Sequence, residues 1–204
     1  MSGAVLATLA FVVGPATAAV MDNMVPTDNY YALYCADSTQ NSSPAVLCQT
    51  DNNTVSVWFQ SSVSSMVESN VRWSLDNSYD AGTDLVVHYA TTPIYSGTGE
   101  TDIIYQEGDS GFSGTTIGIT WCNDAYVGYQ CDQQYVKFRY PAYTTDIELA
   151  CHETGHAVGL LHGSDSSPIE ADSNGAVMGC METPDSGTHP HLQSNNVDNI
   201  NSTY

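Results

Sequence analysis

Positive charge is nearly absent from this chain of 204 residues. Lysine and arginine together contribute three side chains against 23 aspartates and glutamates, so the formal net charge is −20. Nucleic acid is therefore not an expected partner, because phosphate binding needs clustered Lys and Arg. Binding to an anionic membrane surface is disfavoured for the same reason. We expect the acidic surface to keep the protein soluble and monomeric.

Long apolar runs are also missing. The apolar stretch over residues 4–13 is followed by Ala16-Thr17-Ala18, a small-x-small cleavage pattern, so we expect residues 1–18 to be a signal peptide and the protein to be secreted. A stretch of about ten residues is too short for a transmembrane helix, which needs about twenty. The Met-Ser-Gly start lacks the positive charge that usually precedes such a segment.

The cysteines lack C-x-x-C spacing, which argues against a cysteine metal site. Six cysteines in an exported protein predict three disulfides, and sequence alone allows fifteen pairings. Closeness along the chain favours Cys35–Cys48 and Cys122–Cys131. The remaining pair, Cys151 and Cys180, would join the most distinctive stretch of the chain to a later loop.

The predicted order of elements, a strand, a helix, several strands and then a second helix, indicates an α/β fold with a mostly parallel sheet. Residues 19–53 are polar and predict an irregular N-terminal segment without a strong element, whereas 54–204 predict one folded domain. The apolar patterns predict strands over 54–60, 84–90 (buried), 101–106, 115–121 and 135–140, and helices over 61–76 and near 192–204. The pattern at 55–62 also fits a longer first helix. Thr145 and Glu148 match a capping box that opens another helix.

That helix carries the most informative motif, over residues 151–162. His152 and His156 are four residues apart, so a helix presents both imidazoles on one face, with Glu153 beside them. An unbroken helix would carry His162 to the far side. Gly159 provides a residue that can end the helix in the left-handed region. The pattern therefore predicts three histidine ligands to one catalytic Zn²⁺ with an open fourth position.

The motif H-E-x-x-H-x-x-G-x-x-H resembles the signature of the metzincin zinc endopeptidases, and the chain looks most like their small secreted matrixin-like members. The resemblance implies a twisted, mostly parallel sheet with an antiparallel edge strand, a zinc helix and a C-terminal helix. It also implies a polypeptide substrate bound along the edge strand, for which 115–121 is the candidate. A methionine beneath the metal is a further expectation, with Met178 preferred over Met181. Glu153 would act as general base towards a zinc-activated water.

Two departures and two alternatives accompany this interpretation. Gly163 follows the third histidine where matrixins usually have serine, and no P-R-C-G propeptide motif is present. A zinc-binding interaction domain, or a zinc hydrolase of a non-peptide amide, would use the same ligands.

Acidic residues within 100–110 and 164–173 are candidates for structural Ca²⁺, although no EF-hand spacing supports them. His88, His189 and His191 are expected to be structural or exposed, with the last two also considered for the substrate pocket.

Overall fold

The computed structural model describes residues 21–30, 34–42, 46–140 and 146–204. The proposed signal peptide lies outside these ranges. Six strands form one sheet: β1 Gln49–Thr50, β2 Thr54–Phe59, β3 Val86–Tyr89, β4 Ile103–Glu107, β5 Gly118–Ala125 and β6 Gln130–Phe138. The α-helices are α1 Ser65–Ser74, α2 Ile147–Ala157, α3 Gly175–Met178 and α4 Ser194–Thr203. Short helical turns follow at Leu75–Asp80 (π), Gly163–Asp165 and Gly179–Met181 (both 3₁₀).

The sheet is mostly parallel, as the sequence predicts. Its order is β1-β6-β4-β2-β3, all paired in parallel, and β5 pairs with β6 in antiparallel fashion. Within the described residues β6 is the only ladder partner of β5, which is therefore an edge strand. Its last residues also contact the N-terminal segment, since the Cys122 carbonyl accepts from the Ser38 amide at 2.8 Å and the Ala125 amide donates to Asp37 at 2.8 Å. This confirms an α/β fold with an antiparallel edge strand.

The core lies between one face of this sheet and the helices. Alternate residues of β2, β4 and β6 point to that face, as the two-residue period of a strand requires. They pack against apolar residues of α1 and α2 in one buried cluster, which includes Val55, Val57, Ile103, Tyr105, Val136, Phe138, Val67, Val71, Leu149 and Ala150. Helix α2, which carries His152 and His156, is thus held directly on the sheet.

Several boundaries differ from the predictions. The first helix begins at Ser65, capped by the Ser64 side chain, and residues 54–59 are strand, so the longer-helix alternative is wrong. The strand expected at 84–90 was predicted to be buried, but β3 is an edge strand with Val86 exposed.

The two strands before α2 also start elsewhere than expected. β5 begins three residues late, because Thr116 still closes a turn by donating to the Ser113 carbonyl. β6 begins five residues early, through a polar stretch whose buried Gln133 and Gln134 amides donate to backbone carbonyls. Side-chain hydrogen bonding of this kind depends on tertiary neighbours and leaves no apolar alternation to detect.

The N-terminal segment contributes to the core where it is described. Met21 and Met24 are buried in the main cluster, and Met24 forms a bridge with Leu160 beside the end of α2. Asn23 is fully buried: its amide donates to the Leu161 carbonyl at 3.0 Å, next to the third histidine. No helix in the described ranges is long and apolar enough to cross a membrane.

Candidate metal centre

Two histidines of the centre lie one turn apart on α2. The helix begins after Asp146, whose carboxylate accepts a hydrogen bond from the Leu149 amide at 2.9 Å. Asp146 is therefore the N-cap, one residue after the predicted Thr145, which lies outside the described residues. The helical period then brings the Nε2 atoms of His152 and His156 to 3.0 Å from each other.

Gly159 ends the helix and redirects the chain, as its position predicts. Its φ is +100°, a region that favours glycine. The Leu160 amide donates to the Gly155 carbonyl at 2.8 Å and the Gly159 amide to the His156 carbonyl at 3.1 Å, which together form a Schellman motif. This turn returns His162 to the other two histidines, with its Nε2 3.0 Å from that of His152 and 3.1 Å from that of His156.

Backbone carbonyls determine which nitrogens of the α2 histidines face one another. Nδ1 of His152 lies 2.8 Å from the Cys180 carbonyl oxygen, and Nδ1 of His156 lies 2.8 Å from that of Leu160. A carbonyl oxygen can only accept, so each Nδ1 carries the proton and each Nε2 presents a lone pair. Burial lowers the pKa of His152 to about 4 and also lowers the pKa of His156 and His162, so all three rings are neutral at pH 7.

This donor set fits a zinc ion. Two bare lone pairs only 3.0 Å apart repel each other unless a cation lies between them. A tetrahedral Zn²⁺ with bonds of 2.0–2.1 Å requires ligand nitrogens about 3.3 Å apart, close to the 3.0–3.1 Å separations found here. Hydrogen bonds from Nδ1 to carbonyls are the usual means of orienting zinc-bound imidazoles.

Glu153 lies next to these histidines, but its carboxylate is directed towards β5. The side chain is only 5 % exposed, and Oε2 lies 2.8 Å from the Thr120 hydroxyl. Burial raises the pKa of Glu153 to about 7, against the opposing effect of the Thr120 hydrogen bond. A Cβ at Gly118 would lie 2.6 Å from both Cγ and Cδ of Glu153, so the glycine leaves room for the carboxylate.

The histidines and Glu153 line a pocket of about 500 Å³ that runs along β5. Residues 115–120 form one wall, which includes the strand predicted to be the substrate-binding edge. The opposite side is formed by Leu149 of α2 and by Thr183, Pro184 and Asp185. Asp185, Thr120 and Gly118 were not identified from the sequence, since nothing in their spacing relates them to the histidine motif.

The disulfides join the two pairs that chain proximity favours, Cys35–Cys48 and Cys122–Cys131, and the remaining pair, Cys151–Cys180. The last pair links α2 to the turn whose Cys180 carbonyl orients His152.

The two candidate methionines lie in this same region. Met181 packs against α2 at Gly155, where a Cβ would collide with the Met181 sulfur. Met178 is fully buried, and its position beneath a metal stays a prediction.

The other three histidines lie outside the pocket lining. His88 is exposed on the edge strand β3, and His191 packs against Trp73 with the rings tilted by 50° and their centroids 4.9 Å apart. His189 pairs with Glu182 at 2.9 Å, and its amide donates to the Glu148 carboxylate at 2.7 Å. Glu148, Glu182 and His189 could together approach a metal ion, but the two carboxylates already accept hydrogen bonds from the 186–189 loop.

Comparisons with known proteins identify neither a family nor a curated relative for this chain. Among 69 similar chains of solved structures are two of myroilysin. The crystal structure of myroilysin has 18 % identity and a TM-score of 0.36 over 65 % of this chain and 53 % of that one. A second structure of myroilysin has 14 % identity and a TM-score of 0.45 over 78 % of this chain and 97 % of that one. The match thus spans about half of the first myroilysin chain, and TM-scores below 0.5 assign no function.

Proposed function

We propose that this chain is a secreted zinc-dependent endopeptidase of the metzincin type. The observation that carries the proposal is the cluster of three neutral imidazoles with Nε2 atoms 3.0–3.1 Å apart, beside a buried glutamate in an open pocket. Three nitrogen ligands with space for a fourth are typical of catalytic rather than structural zinc. The three disulfides favour an oxidising, extracellular compartment.

His152, His156 and His162 would hold the ion, which supplies a Lewis acid that acidifies water and polarises a carbonyl. Glu153 would accept a proton from the attacking water as the water oxygen bonds to the peptide carbonyl carbon. The same carboxyl would then deliver that proton to the amine nitrogen as the C–N bond breaks. Burial raises the pKa of Glu153, which favours proton uptake by this carboxylate.

Thr120 and β5 would position the reacting groups. The Thr120 hydroxyl, 2.8 Å from Oε2 and 3.0 Å from the Glu153 carbonyl oxygen, holds the carboxylate at the pocket wall. The first part of β5, where residues 118–120 line the pocket, offers its free edge to an extended peptide, which would add to the sheet as a further strand. A polypeptide substrate uses this edge, whereas a small amide would not need it.

The test is cleavage of unfolded casein by the zinc-loaded protein, with and without a chelator, alongside Glu153→Gln. We expect both the chelator and the substitution to abolish cleavage, while Glu153→Gln retains stoichiometric zinc by elemental analysis. Cleavage that persists in Glu153→Gln contradicts the general-base role. A folded, zinc-loaded wild type that hydrolyses small acyl amides but not casein supports a non-peptide hydrolase. Zinc binding without either activity supports an interaction domain.

A further inference from the structure

The histidine pocket continues beyond Glu153 towards the start of α2. Leu149 lies one turn before Glu153 on the same face of the helix, and both side chains line the pocket. Asp185 lines the same pocket and lies near the start of α2, where its charge interacts with those of Asp146 and Glu148. The pocket therefore extends from the proposed catalytic centre to an aspartate.

This end of the pocket would receive the side chain that follows the scissile bond. In the proposed reaction Glu153 delivers its proton to the departing amine nitrogen, so the amine-side residue of the substrate lies on the Glu153 side of the metal. Leu149 and Asp185 extend the pocket from Glu153 on this side. A side chain of the amine-side residue that enters the pocket therefore meets Leu149 first and Asp185 beyond it.

Negative charge at Asp185 has no partner from the protein. Among the described lining residues, Asp185 and Glu153 are the only carboxylates, and no lysine or arginine is present. Asp185 is half-buried, and its Oδ1 accepts a hydrogen bond from the Gly187 amide at 2.9 Å, but it forms no ion pair with any described residue. The three cations of the chain pair with other groups: Arg72 with Glu68, Arg139 with Asp109, and Lys137 with Gln40 and Ser110.

The surroundings of Asp185 add to this negative charge. Burial raises the pKa of Asp185 to about 6, the Gly187 amide opposes the rise, and the Asp146 and Glu148 carboxylates add to it. The positive end of the α2 dipole offsets only about half of one elementary charge. Above pH 7 the carboxyl of Asp185 is mostly ionised, so this end of the pocket attracts a cation.

Glu148 fixes the loop that carries Asp185. The Glu148 side chain is only 1 % exposed, and its two oxygens accept hydrogen bonds from the Ser186 amide at 3.0 Å and the His189 amide at 2.7 Å. On the other side of Asp185, the Thr183 amide donates to a backbone carbonyl of the preceding loop at 2.9 Å. Asp185 is thus held between two anchored points, and the Glu148 carboxylate is already occupied by the loop.

We infer that Asp185 makes this pocket select lysine or arginine as the residue after the scissile bond, a specificity that rests on the proposed endopeptidase function. Leu149 and Pro184 offer apolar surface to the methylene stem of such a side chain. The Asp185 carboxylate then pairs with its charged head. An acidic side chain is rejected at the same position, because like charges repel.

The experiment compares two peptides that differ only in the residue after the scissile bond. One has lysine there, and the other has norleucine, which keeps an unbranched stem but lacks the amine. Mass spectrometry of a casein digest by the zinc-loaded full chain first locates the cleaved bonds, after which lysine and arginine should be enriched. The wild type should then cleave the lysine peptide with a kcat/KM roughly 10- to 100-fold above that for norleucine, as a hydrogen bond to a charged group predicts. A ratio of one or less overturns the assignment.

Variants test whether Asp185 is the source of the preference. Asp185→Asn should bring the lysine-to-norleucine ratio close to one, and Asp185→Lys should make glutamate preferred over glutamine at the same position. Each ratio is measured within one variant, so a general loss of activity cancels. The matched control is Asp198→Asn, an exposed aspartate on α4, which should keep the wild-type ratio. An undiminished ratio in Asp185→Asn refutes the role of Asp185.

Salt provides a test that needs no variant. Because Asp185 is only half-buried, NaCl should lower the lysine-to-norleucine ratio of the wild type by screening the charge pair, and a ratio that does not change with salt counts against the inference. Absence of all casein cleavage overturns the proposed function and this specificity with it. Cleavage without a charge preference overturns the specificity alone.

Discussion

Replacing Gly118 with alanine should disable the proposed enzyme without removing its metal. The added Cβ would lie 2.6 Å from Cγ and Cδ of Glu153, whereas unstrained carbon contacts lie at about 3.5–4.0 Å. The carboxylate must therefore move by about 1 Å. Such a displacement of a reacting group costs on the order of 10²-fold in rate, or about 2.7 kcal/mol in the activation barrier.

The assay is kcat/KM on a fluorogenic peptide, with zinc content and Tm measured on the same sample. Gly108→Ala is the matched control, because a Cβ there meets only the Lys137 side chain at 3.6 Å. We expect a roughly 10²-fold loss for Gly118→Ala, full zinc occupancy, and no loss for Gly108→Ala.

A double-mutant cycle tests whether the effect acts through the glutamate. If Gly118→Ala works by displacing Glu153, combining it with Thr120→Val, which releases the same carboxylate, should cost less than the product of the two single losses. Wild-type kcat/KM in Gly118→Ala would refute the reasoning outright. Loss of zinc together with activity would instead locate the damage in the histidine cluster.

Three further changes test other parts of the structure. His162→Ala should lower zinc affinity; unchanged zinc content after dialysis would exclude it as a ligand. Thr120→Val should lower kcat roughly tenfold or more with zinc retained, because a hydrogen bond to a charged group contributes about 1.5–3 kcal/mol, and Thr120→Ser should keep most activity. Relative to Asp102→Asn, the wild type should gain about 1–3 kcal/mol of stability as the pH falls from 7 towards 4, because folded Asp102, with a pKa of about 6, binds a proton that the unfolded chain releases. Urea denaturation of both proteins across this range checks the sign, and an identical pH dependence in the two would contradict the assignment.

The zinc motif could be identified from sequence because its geometry is local. Eleven residues contain two histidines at helical spacing, a glycine that ends the helix and a third histidine, and the structure brings their three Nε2 atoms together. The mostly parallel sheet could be predicted from the order of strands and helices along the chain. The disulfide pairs followed from closeness along the chain.

Other features depended on contacts between distant residues. Thr120 and Gly118 meet Glu153 across more than thirty residues, and only the register of β5 on β6 and the packing of α2 place them there. The early start of β6 depends on side-chain hydrogen bonds to other elements. Asp51, Asp102 and Asp132 line one cavity because parallel strands align their amino ends, which no local pattern encodes. Sequence by itself therefore determined which three histidines cluster and the fold class, because both follow from local periodicity and the order of elements. Tertiary structure decided what surrounds Glu153 and where the excess negative charge converges, because both are set by packing between elements.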